Sequence, residues 1–101
     1  MNLPEVIHRL ENNGTRIVGY GVVRLAVFGS YAKGNNDAHS DLDVLVEFSP
    51  QAERYSNYLS LCALIERIFP ELKVDVVTRN GLSPHIGSNI LNSAHYVDIA
   101  A

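Results

Sequence analysis

Three aspartates stand where aspartates are unusual. Asp41 and Asp43 flank one leucine at the head of Asp41-Leu42-Asp43-Val44-Leu45-Val46-Glu47-Phe48, and Asp75 sits inside Lys73-Val74-Asp75-Val76-Val77-Thr78. Aspartate is depleted in strands, yet both runs are otherwise apolar and largely β-branched and read as strands. Alternation sends Leu42, Val44, Val46 and Phe48 to one face, suited to a core. Asp41 and Asp43 share the other, with Cα atoms roughly 6.5–7 Å apart. Adjacent carboxylates resist joint ionisation unless a cation neutralises them. Hard oxygen donors at this spacing suit Mg²⁺ or Mn²⁺. If the second strand pairs beside the first, Asp75 stands about 5 Å across from one of the other two. Three such carboxylates can hold two ions about 3.5–4 Å apart, the arrangement that clamps attacking and leaving oxygens in phosphoryl transfer.

A phosphate-binding turn precedes them. Val22–Phe28 is β-branched and apolar and reads as a buried strand, broken by Gly29-Ser30. A glycine there lets a phosphate approach the backbone, the following helical turn offers unpaired N–H groups, and Ser30 adds a hydroxyl. Lys33 and Gly34 follow within reach of the same ligand. Each piece alone has a plainer reading: a capped turn, the outer face of an edge strand, an Asp75 paired with Lys73 or Arg79. Their conjunction is what points to phosphoryl chemistry. His39 and His85 read as solvated, as do Asp37 and Glu47, while Tyr55, Tyr58 and Cys62 read as core or interface.

The elements that must position these residues follow from periodicity. Leu3, Val6, Ile7 and Leu10 have helical spacing within Leu3–Asn13, with Pro4 tolerated in the first turn. A short helical piece over Thr15–Tyr20 closes at Gly21, and Tyr31-Ala32-Lys33 suits one turn before Gly34. Asn35–Ser40 is a polar loop. Gln51–Phe69 is the clearest helix, with Tyr55, Tyr58, Leu59, Cys62, Ile65, Ile68 and Phe69 as its apolar stripe and Pro70 as its stop. After the third strand and the Asn80-Gly81 turn, Ser83 caps a last helix through about His95, with Pro84 at its first position. The order predicts an α/β chain, helices packed on a small mixed sheet, in a single domain over residues 1–101.

Composition sets bounds. Hydrophobic residues make up 47% and charged residues 19% of 101, a globular balance. Eight basic against eleven acidic residues, net −3, argue against long nucleic acid as a partner, since such binding rests on phosphate neutralisation. They leave room for a nucleotide held through metal ions. One cysteine, Cys62, and no apolar run of membrane-spanning length lead to the expectation of a soluble, cytoplasmic protein without a membrane partner.

Gly29-Ser30, ten residues, then Asp41-Leu42-Asp43 resembles the signature of the DNA polymerase β-like nucleotidyltransferase superfamily. The longer stretch Val27–Gly34 and Ser40–Val46, with Val74-Asp75-Val76-Val77-Thr78 as third-carboxylate strand, is similar to the minimal nucleotidyltransferases. The resemblance implies the polymerase β-like fold. It implies that Asp41, Asp43 and Asp75 are catalytic residues ligating two Mg²⁺, that Asp75 helps deprotonate an acceptor hydroxyl, and that Gly29, Ser30 and Lys33 bind the triphosphate of ATP. Lys33 departs from the arginine usual in the motif: it keeps the charge but loses the bidentate fork.

The short chain further resembles the antitoxins of HEPN/MNT toxin–antitoxin pairs. That likeness implies AMP transfer from ATP to a tyrosine of a HEPN-domain RNase toxin. Two alternatives stay open: an antitoxin that acts by binding alone, and a nucleotidyltransferase of small molecules such as antibiotics, whose pocket a homo-oligomer would have to supply.

Overall fold

The computed structural model describes residues 1–81 and 84–99. Four strands, β1 (Val22–Phe28), β2 (Leu42–Phe48), β3 (Val74–Thr78) and β4 (His95–Tyr96), form one mixed sheet in the order β3-β2-β1-β4. β1 lies antiparallel to both β2 and β4, and β2 runs parallel to β3. Among the described residues five α-helices accompany it: α1 (Leu3–Asn12), α2 (Gly14–Gly19), α3 (Gly29–Lys33), α4 (Tyr55–Ile68) and α5 (Pro84–Ser93). This is the expected α/β architecture. Among the described residues no helix is long and apolar enough to cross a membrane.

The core lies between one sheet face and α1, α2 and α4. Val6, Leu10, Ile17, Leu61 and Ile65 from the helices meet Leu25, Val27, Leu42, Val44 and Val46 from the strands, all fully buried. α1 starts as its sequence dictates: the Asn2 side chain accepts from the Glu5 N–H at 3.0 Å, capping a first turn that tolerates Pro4.

Four expectations need correction. α4 begins at Tyr55, not Gln51, because Pro50–Ala52 forms a separate 3₁₀ turn. That turn is pinned by tertiary contact: Ser49 N–H donates to Gly21 O at 2.9 Å, and a Cβ on Gly21 would collide with Ala52. The apolar stripe of α4 is also rotated. Leu61, Leu64 and Ile65 are its buried positions, whereas Tyr55 and Leu59 are 75% and 48% exposed. β1 is not buried throughout: a bulge between Val22 and Arg24 puts Val23 in solvent, and Arg24 is exposed on the outward face opposite Glu47. Finally, His95 ends no helix: it opens β4, a two-residue strand too short to leave a periodic signal. The predicted cap Ser83 lies outside the described residues.

Tyr58 shows how α4 guards the sheet. In a parallel pair, alternate residues of a strand bond the neighbour. Lys73 O accepts from Leu42 N–H, so Val76, three positions on, turns its carbonyl to the free edge of β3. The Tyr58 hydroxyl donates to that carbonyl at 2.8 Å, blunting an edge otherwise open to strand addition.

Candidate active site

Strand register brings two of the predicted aspartates together. Asp43 is the direct partner of Asp75 across β2 and β3, and on its other side Asp43 faces Phe28, the last residue of β1. Asp41 lies just ahead of β2, two residues before Asp43. The Leu42 N–H donates to Lys73 O at 2.8 Å, which fixes the chain at that point. Since Leu42, Val44 and Val46 are fully buried on the opposite face, a slip of one residue would put the carboxylates in the core. The apolar face thus sets the position of the polar one.

Electrostatics report the convergence. Asp43 has its pKa raised above the ordinary carboxylate value, first by partial burial, then by the negative charge of Asp75, then by that of Asp41. Lys73 offers little relief: its Nζ is 3.9 Å from Asp41 Oδ2, with side chains 77% and 40% exposed. An exposed pair of this kind is worth little. The plainer reading had Lys73 beside Asp75; the structure puts it beside Asp41 instead.

The turn into α3 completes the arrangement. Gly29 has φ +73°, a left-handed conformation that side chains rarely adopt, and a Cβ there would collide with Asp43 Oδ2. The backbone of the turn therefore lies directly against the central carboxylate. Ser30 follows at the start of α3. Tyr31, 2% exposed, anchors this five-residue helix in the core. Gly34, left-handed at φ +75°, ends it, and the Asn35 N–H donates to Ser30 O at 3.1 Å. Lys33 is exposed at the last position of α3, so its placement near a ligand depends on its own long side chain.

Asp37 is more than a solvated loop residue. Its Oδ1 accepts from His39 N–H at 2.8 Å and from the Ser40 hydroxyl at 3.3 Å, while its own N–H donates to Ser40 Oγ at 2.8 Å. This closed loop delivers the chain to Asp41. Its signal was legible, since Asp and Ser three apart in a polar stretch commonly bond each other's backbone.

The donor set fits a hard divalent cation. Asp41, Asp43 and Asp75 offer only oxygen ligands, and Asp43 is held where its charge is unfavourable without positive charge beside it. Among the described residues no group of three or more acid, histidine or cysteine side chains stands close enough together to hold a metal ion as it is. An ion bound by these carboxylates would need further ligands, which the oxygens of a triphosphate can supply.

Comparison with known proteins agrees with fold and motif. The family model for the nucleotidyltransferase domain matches residues 10–97, and the chain belongs to that family. A chain of Methanocaldococcus jannaschii provisionally named a protein adenylyltransferase is 38% identical over 80 residues, spanning 77% of this chain and 79% of that one. The protein adenylyltransferase MntA of Thermococcus cleftensis is 32% identical over 78 residues, 77% of each. A solved chain provisionally described as a minimal nucleotidyltransferase superposes with TM-score 0.82 at 32% identity, covering 94% of this chain and 95% of the other. A toxin–antitoxin crystal structure with AMP-PNP shares the fold at TM-score 0.66 and 18% identity, over 85% of this chain and 70% of the other. The chain is thus a minimal nucleotidyltransferase, and an enzyme by family.

Proposed function

We propose that this nucleotidyltransferase moves AMP from ATP to a hydroxyl of a partner protein, a tyrosine of a HEPN RNase toxin, and acts as the antitoxin of that pair. The observation that carries the chemistry is the in-register pair Asp43–Asp75, with Asp41 beside it and Gly29 against it. A protein acceptor is supported by relatives named protein adenylyltransferases, and a toxin partner by the toxin–antitoxin structure of the same fold; the tyrosine and the HEPN domain rest on the sequence resemblance alone.

Asp41, Asp43 and Asp75 would hold Mg²⁺, which supplies charge neutralisation around the phosphates when bound. Gly29, Ser30 and Lys33 would cradle the β- and γ-phosphates. Asp75, outermost of the three on an edge strand and exposed, would take the proton of the acceptor hydroxyl. The acceptor oxygen bonds to the α-phosphorus, the α–β phosphoanhydride bond breaks, and pyrophosphate leaves.

Asp75→Asn tests this reading against an antitoxin that works by binding alone. The variant should still bind ATP with modest loss and still hold its partner in a pull-down. It should leave the partner's intact mass unchanged and fail to protect cells expressing it. Full protection by a partner-bound Asp75→Asn protein would sink the enzymatic reading.

A further inference from the structure

The face that carries the aspartates continues beyond them. Cross-strand partners share a face. Asp75, Asp43 and Phe28 make one row, Val77, Leu45, Ala26 and Tyr96 the next, and Glu47 and Arg24 the third. Arg79 follows β3 at the same end, and Arg24, Leu45, Glu47, Arg79 and Tyr96 line one small concavity. Tyr96 is 54% exposed. A second groove of about 320 Å³ adjoins it, bordered by Val23, Arg24, Tyr96 and Asp98. Arg24 stands opposite Glu47 in register, yet among the described residues neither Arg24 nor Arg79 makes an ion pair or a side-chain hydrogen bond.

α3 begins at the Phe28 end of the first row, and α5 packs against α3 and β1. The core helices fill the other face of the sheet. Asp75 is exposed on the edge strand β3, and Arg24, Arg79 and Tyr96 lie on or at the end of the same face, one to two rows away. Tyrosine and arginine are also the residues most enriched at binding hot spots, and a free guanidinium fork matches a carboxylate.

We infer that this half of the face is the docking platform for the acceptor protein, on which Arg24, Arg79 and Tyr96 hold a carboxylate-bearing segment next to the hydroxyl that receives AMP. The inference rests on the AMP-transfer reading and adds to it the surface and the chemistry by which the acceptor is chosen.

The test uses the full chain and the acceptor identified by its mass shift. Arg24→Ala/Arg79→Ala, and separately Tyr96→Ser, should each raise the KM for the acceptor about tenfold or more, with the KM for ATP and the melting temperature held. Arg24→Glu/Arg79→Glu should be rescued by an acceptor whose nearby carboxylates are changed to lysine. An acceptor KM unchanged in both variants overturns the platform while leaving AMP transfer intact. KM values for ATP and acceptor rising together would assign these residues to the nucleotide, and also overturn it. So would a wild-type dimer that Tyr96→Ser dissociates without effect on the acceptor, since the face would then join two copies of this chain. No transfer by the wild-type chain would instead sink the AMP-transfer reading, and the platform with it.

Discussion

Strand β2 has two faces with opposite effects on the fold. Inward, Leu42, Val44 and Val46 are fully buried and Phe48 is 5% exposed. Burial of side chains of this size stabilises by roughly 1.5–3 kcal/mol each. Outward, Asp43 sits half-buried beside two like charges, its pKa raised by burial and by Asp75 and Asp41. The first face is fitted to folding and the second opposes it. On the proposed reading, function falls where side-chain type contradicts local stability, as at active sites generally.

The strongest way to break that comparison is to remove the outward charges. Asp41→Asn/Asp43→Asn should lower AMP transfer by orders of magnitude, since neutralisation and positioning supply most catalysis in phosphoryl chemistry. The same variant should melt at a higher temperature than wild type in EDTA, because the mutual repulsion is gone. Intact-mass analysis of the acceptor and a thermal melt read the two effects. Near-wild-type transfer would remove the aspartates from the mechanism.

The inward face should respond in the opposite sense. Leu25, fully buried, is the β1 partner of Val46 on the core side of the sheet. Leu25→Ala should cost about 2–5 kcal/mol in denaturant unfolding. Transfer per folded molecule should change far less. A loss of transfer as deep as that of the aspartate variant, in protein still folded, would mean that the two faces are not separable.

Much of this was legible in the residues themselves. Alternation in Asp41–Phe48 placed the aspartates opposite the core, and the bounds of β1 and the turn at Gly29 followed from β-branched runs and glycine. What sequence could not supply came from contacts distant along the chain. Gly21 stops α4 from starting at Gln51, since it holds the Ser49–Ala52 segment against itself. The stripe of α4 turned because Tyr55 and Leu59, though apolar, face away from the sheet. The bulge at Val23 has no local signature, yet it pairs Val22 with Phe48 on the core side and leaves Val23 in solvent, while Arg24 keeps the side of Asp43 by alternation through Ala26 and Phe28. The in-register meeting of Asp43 with Asp75 was only conditional on the strands being neighbours, and topology supplies that condition.

The smallest expected effect sharpens the comparison most, because it isolates one carboxylate. The folded pKa of Asp43 is raised, so the fold binds that proton more tightly than the unfolded chain does. By linkage, protonation of Asp43 favours the fold; this contribution is complete below the ordinary unfolded value and is lost as pH rises through the higher folded one. In metal-free protein the ionised carboxylate therefore weakens the fold at neutral pH, and Asn in its place does not. The advantage of Asp43→Asn over wild type in EDTA should be greatest near neutral pH. It should shrink on acidification and vanish below the ordinary carboxylate range, where Asp43 is neutral in both states. Partial exposure screens the effect, so it should fall well below that of Leu25→Ala. Acid effects common to both proteins cancel in the difference, so melts of the pair across the acid range suffice. Saturating Mg²⁺ with ATP at neutral pH should reverse the order, because a ligand that binds only the folded wild-type site stabilises it by mass action. A gap that holds constant or widens on acidification would mean that the outward face does not oppose folding, and that Asp43 does not feel its neighbours.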